Sequence, residues 1–187
     1  MREQKREKLN RLERLLPEGL LVDAAWLSTH GYSTSLRAKY VASGWLEQPA
    51  RRVYRRPRGQ PCWQQAVISL QTLLDHRLVV GGRTALELQG YSHYLTLNRT
   101  EIYLHGPAKP PTWLAALPIK ERFVYRNSAP LFGNDLDRTT FPALAPEPTG
   151  SHDDPAFRDA ALRALSWGQW DWPLVVSAPE RAILELL

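Results

Sequence analysis

The chain has 187 residues, 43% of them hydrophobic, and its seven Trp, seven Tyr and four Phe exclude a disordered composition while allowing one large or two small domains. No run approaches the roughly 18 apolar residues that a membrane helix needs. The net charge of +5 is split: residues 1–60 hold 13 Lys and Arg against 6 Asp and Glu, a net +7, and the remainder holds 11 against 13, a net −2. A basic first segment on a slightly acidic remainder points to a polyanion-binding module joined to something else, and an inert basic surface is the bland alternative.

The start, MREQKREKLNRLERLL, lacks the apolar centre of a secretion signal. Glu3, Glu7 and Glu13 also count against an acid-poor presequence, so the cytoplasm is the expected compartment. Residues 2–16 read as a helix, with Leu9, Leu12, Leu15 and Leu16 at helical spacing and Pro17 and Gly19 as stops. A second helix is predicted from Asp23, its N-cap, to Thr29, followed by Gly31 where a positive φ is needed. A third runs from Thr34 to Ser43, capped by Ser33 and ended by Gly44. Two short helices around a tight turn are the order of a helix-turn-helix. Leu36 and Tyr40 share the packing face, and Ser35, Arg37, Ala38 and Lys39 are expected outside it, available to a major groove.

Next, WLEQPARRVYRRP predicts strands at Trp45–Glu47 and Val53–Tyr54, joined through Gln48, Pro49 and Ala50. This hairpin reads as a wing that lays Arg51, Arg52, Arg55 and Arg56 along a phosphate backbone, with Arg58 extending the strip. Arg58-Gly59-Gln60-Pro61 reads as a hinge between a winged helix-turn-helix domain, 1–60, and a mixed α/β domain, 61–187. The overall class is therefore α+β. In the second segment, WQQAVISLQTLL is an amphipathic helix, LVVGG a buried strand ending at paired glycines, and RTALELQG a short helix. TEIYLHG and ERFVYRN read as strands with a short helix, PPTWLAAL, between them. Residues 129–155 look irregular. DPAFRDAALRAL and SAPERAILELL are predicted helices, the latter with Ser177 and Glu180 at capping-box spacing. It meets no stop signal, so the natural chain is expected to continue past Leu187.

Catalytic and metal signals are weak. Gly81-Gly82 lacks a phosphate-loop pattern and is better read as a strand exit, although Arg83 and Thr84 could hold an anion there. Asp135, Asp137, Asp153 and Asp154 have no companion ligands at fixed spacing, and His76, His93 and His105 are scattered. Glu101 has no lysine partner of the nuclease kind, and Cys62, the single cysteine, can form neither an internal disulfide nor a cysteine-rich zinc site. The expectation is a non-enzyme without cofactor or metal. A nucleic-acid enzyme with a winged-helix substrate module, and a winged helix that binds protein, stay open as alternatives.

The phrase LRAKYVASGWLEQPARRVYRRP resembles the helix and wing of AbiEi-family antitoxins, the transcriptional-regulator half of type IV toxin–antitoxin, or abortive phage infection, systems. VVGGRTALELQGYSHYL and VSAPERAILELL resemble the second domain of that family. One departure stands out: Arg52 occupies the place before Val-Tyr where glycine often sits. The resemblance implies repression of the chain's own operon by binding repeats in the promoter, with self-association on the double-stranded DNA. It also implies that the second domain counters a nucleotidyltransferase toxin without a stable complex. Carried over residue by residue, the DNA-binding set is Ser33, Ser35, Arg37, Lys39, Arg51, Arg52, Arg55 and Arg56.

Overall fold

The computed structural model describes residues 2–91, 100–133, 135–139, 141–144 and 161–187, and the chain is mixed α+β. Helix α1 (Arg2–Leu15) buries Leu12 and, just past its end, Leu16. Leu21–Asp23 then forms β1, a strand too short to show a period in the sequence. After it come α2 (Ala24–Thr29) and α3 (Thr34–Ala42), then β2 (Glu47–Ala50) and β3 (Val53–Arg55). The three strands make an antiparallel sheet in the order β1-β3-β2.

The hairpin is displaced from its expected place. The amides of Trp45 and Leu46 both donate to Tyr40 O, at 2.9 and 3.1 Å, and so belong to the close of α3. The strand starts after them, and Gln48, Pro49 and Ala50 lie in β2 and not in the loop. Pro49 is tolerated there because β2 is an edge strand.

Helix α4 (Trp63–Thr72) leads to β4 (Val79–Val80), α5 (Gly82–Leu88), β5 (Glu101–Gly106), a 3-10 helix (Thr112–Ala116) and β6 (Arg122–Asn127). Two single-turn helices follow, α6 (Ala129–Phe132) and α7 (Asp135–Arg138), inside the stretch expected to be irregular. The chain closes with β7 (Leu162–Trp167), β8 (Trp172–Ser177) and α8 (Pro179–Leu184). The second sheet has the order β6-β5-β4-β8-β7, parallel at β5/β6 and β4/β8 and antiparallel elsewhere.

Two sequence expectations give way here. The end of the predicted helix DPAFRDAALRAL is strand β7, paired over six residues with β8; residues 151–160, with Asp153 and Asp154, lie outside the described residues, as does His93. Pairing with the apolar run of β8 overrides the helical propensity of Ala, Leu and Arg. The capping box is absent, because Ser177 ends β8 and its hydroxyl donates to Glu185, while Ala178 takes the N-cap of α8.

Helix α4 lies against both sheets. Leu21 N–H of β1 donates to Ser69 Oγ at 2.8 Å. On the other side the buried Gln71 amide donates to Leu78 O and Val175 O and accepts from Val175 N–H, all within 3.0 Å. Strand β4 is only two residues long, and Gln71 continues its connection to β8 where the ladder stops. One hydrophobic core accordingly joins Leu12, Leu27 and Val53 with Val67, Leu70, Leu104 and Leu174.

The paired glycines serve a close approach. Gly82, at φ +49°, donates its N–H to Glu185 Oε2 at 2.7 Å. Ser177 Oγ and Arg181 Nε both donate to Glu185 Oε1 at 2.9 Å. A side chain on Gly81 would collide with Glu185 and His105. The anion at the start of α5 is therefore the protein's own carboxylate, while Arg83 points outward and pairs with Glu87. Among the described residues no helix is long and apolar enough to cross a membrane, and no three His, Cys, Asp or Glu side chains cluster as a metal site.

Replacing Gln71 with Leu keeps the volume but strips three backbone groups of their partner. We expect a loss of about 3 kcal/mol of stability, read by chemical denaturation. A second expectation concerns acid. Burial holds the imidazoles of His105 and His76 below their ordinary value. The unfolded chain then binds protons more readily than the folded one. The stability contributed by the neutral rings is complete above about pH 6.5 and is lost as pH falls from there toward the depressed folded values. Thermal midpoints should drop between pH 7 and pH 5, and less steeply in His105→Asn.

Candidate nucleic-acid interface

Helix α2 starts where Asp23 leaves β1, its carboxylate accepting from Trp26 N–H at 2.7 Å. The turn that follows needs Gly31 at φ +85° and buries Tyr32, whose N–H donates to Leu27 O. Ser33 caps α3 by accepting from Leu36 N–H, and its hydroxyl lies 3.1 Å from that of Ser35. Both hydroxyls are exposed. Along α3 the exposed positions are Thr34, Ser35, Ala38, Lys39 and Ala42, while Arg37 and Tyr40 are buried. A helix face of small residues with one lysine lets the backbone come close to a partner surface.

The hairpin turns at Arg51 and Arg52. Arg52 holds φ +63°, the left-handed region in which a residue with a Cβ is disfavoured by roughly 1 kcal/mol. Glycine would adopt this backbone without that cost. Arg51 and Arg52 are both exposed, and neither they nor Lys39 form a side-chain ion pair or hydrogen bond among the described residues.

Three of the expected contacts turn inward. Arg37 is only 6% exposed: Nη1 donates to Ala24 O at 2.7 Å and Ser28 Oγ at 2.9 Å, Nη2 donates to Thr34 Oγ1 at 2.8 Å, and the guanidinium lies 5.8 Å from the Tyr54 ring centre. Arg55 is 4% exposed, paired with Glu47 and bonded to Gly59 O. Arg56 donates to Glu13 O and Leu16 O and pairs with Glu18, which ties the hairpin to α1. Strand β3 is central in its sheet, so Val53, Tyr54 and Arg55 are all buried and the alternation expected of an edge ribbon fails. Ser33, Ser35, Lys39, Arg51 and Arg52 remain at the surface, and Thr34, Ala38 and Ala42 complete the α3 face.

Ala24 fastens these parts together. Its N–H donates to Arg52 O at 2.9 Å, and its carbonyl accepts from Arg37. The hairpin tip and the first turn of α3 are thus pinned to one residue at the start of α2. Nearby, burial raises the pKa of the Tyr32 and Tyr40 phenols above their ordinary value and keeps them neutral. Removing the buried guanidinium in Arg37→Met should cost about 2 kcal/mol, measured by denaturant titration. Arg37→Lys should recover little of that loss, because one ammonium cannot serve both α2 and Thr34.

Residues 5–97 match the family described as transcriptional regulator, AbiEi antitoxin N-terminal domain. The match runs from α1 through the hairpin, α4 and α5. No curated protein matches the chain. Through residues 5–97 the chain belongs to the family of transcriptional regulators that carry the AbiEi antitoxin N-terminal domain.

Proposed function

We propose that this chain is a non-enzymatic, DNA-binding repressor of its own toxin–antitoxin operon and the antitoxin to a cognate nucleotidyltransferase toxin. In this reading residues 1–60 act as a winged helix-turn-helix and residues 61–187 as the antitoxin domain, in a type IV phage-defence system of the cytoplasm. Toxin antagonism proceeds without a stable complex, and copies of the chain associate on promoter repeats.

The observation that carries the DNA reading is the contrast among the basic residues. Arg37, Arg55 and Arg56 are consumed internally, whereas Lys39, Arg51 and Arg52 have no side-chain partner among the described residues and stand on parts pinned to the same α2 residue. Unpaired cations beside a slim helix supply phosphate contacts for the tip and groove access for α3. Ser33 and Ser35 add hydroxyls at the end of α3 that enters first. Family membership in a transcriptional-regulator domain supports the same partner.

The test is titration of a duplex from the chain's own promoter at several salt concentrations. Affinity should fall steeply with salt, and the slope should flatten by about 0.9 for each phosphate contact removed in Arg51→Gln and Arg52→Gln. Arg55→Gln and Arg56→Gln should lower stability and leave the slope unchanged. Absence of saturable binding to that duplex would refute the repressor reading. Arg52→Gly should move two readouts in opposite directions: stability rises by roughly 1 kcal/mol as the left-handed strain is relieved, while DNA affinity falls.

A further inference from the structure

A cleft of about 390 Å³ opens beside the hairpin tip, between the start of α2 and the 3-10 helix of the second segment. Its size falls within the range of small-molecule sites. We propose that this cleft binds a small phosphorylated ligand carrying a flat ring, and that the ligand draws on the same two arginines as DNA. The second half of the proposal rests on the DNA reading above.

The chemistry of the walls points to that class. Arg51 and Arg52 line one side, and neither side chain has a partner among the described residues. Two adjacent guanidiniums suit a dianionic phosphate better than a singly charged carboxylate. Asp23 also lines the cleft, and its single negative charge against two guanidiniums leaves the lining net positive. The opposite wall is Trp113, with Thr112 offering an exposed hydroxyl. The indole N–H of Trp113 is shielded from solvent and has no acceptor among the described residues, so it serves as a reporter of the wall and not as a ligand contact. Ala24, Ala25 and Ala116 add small apolar surface to the lining, which leaves room for a ring beside Trp113. The cleft joins the two halves of the chain: the arginines come from the hairpin and the aromatic wall from the second segment.

Adenosine monophosphate serves as the probe, with adenosine and inorganic phosphate as its two parts. The chain, labelled with nitrogen-15, is titrated while the Trp113 indole resonance, identified through Trp113→Phe, is followed. The monophosphate should shift that resonance saturably with a Kd of about 1 mM or tighter. Adenosine alone and phosphate alone should bind at least about tenfold more weakly, as should the Arg51→Gln/Arg52→Gln double variant. Ala116→Phe fills the cleft from an exposed position and should abolish the shift without altering stability. The ligand site is overturned by the absence of saturation with the monophosphate. It is equally overturned by binding that survives both the double variant and Ala116→Phe. A promoter-duplex titration with and without saturating monophosphate then tests the sharing of arginines. A several-fold weaker duplex affinity supports it, and an unchanged affinity removes it. A duplex that does not bind at all removes the DNA reading and leaves the ligand site to be decided by the first titration.

Discussion

The buried guanidinium of Arg37 is the constraint on which the N-terminal architecture turns. One side chain bonds to α2 through Ala24 and Ser28, to the first turn of its own helix through Thr34, and stacks on Tyr54 of the central strand. A cation is expensive to bury, and it is tolerated where several acceptors and an aromatic face surround it. Here the acceptors come from α2 and α3 and the aromatic face from β3. Arg37 thereby sets the angle between α2 and α3 and the distance of both from the sheet. The exposed face of α3 and the hairpin tip keep a fixed relation because the groups that orient them are inside.

Much of this arrangement was legible in the sequence. The leucine spacing of α1, the Asp23 and Ser33 caps, the glycine turn and the order of helix, helix and hairpin all follow from local chemistry, and local chemistry is what a sequence displays. The family resemblance carried by the helix-wing phrase agrees with the family matched over residues 5–97. What stayed hidden depended on distant partners. Arg37, Arg55 and Arg56 look no different in sequence from Arg51 and Arg52. Only the packing of β3 between two neighbours, and the placing of Glu18 beside Arg56, separates structural cations from exposed ones. In the same way, the residues of β7 favour a helix until β8 lies alongside.

The glycine pair at 81 and 82 repeats that lesson. Its sequence invites an anion-binding interpretation, and an anion is indeed present, supplied by Glu185 from more than a hundred residues away in the chain. The polar groups linked to it, Ser177, Arg181 and, through Arg181, Asp135, lock α8 to α5 and to the short helix α7. Motif and mechanism are linked by the chemistry of an oriented N–H, and what that N–H holds is a matter of the fold.

Helix α4 carries the remaining implication. Ser69 and Gln71 are two residues apart and so project to different sides of the helix, one gripping β1 and the other β8. A displacement of β8 therefore has only a single helix width to cross, about 10 Å, before it reaches the strand paired with the hairpin. The protein thus has a short mechanical lever between its smaller sheet and β8, an inner strand of its larger one.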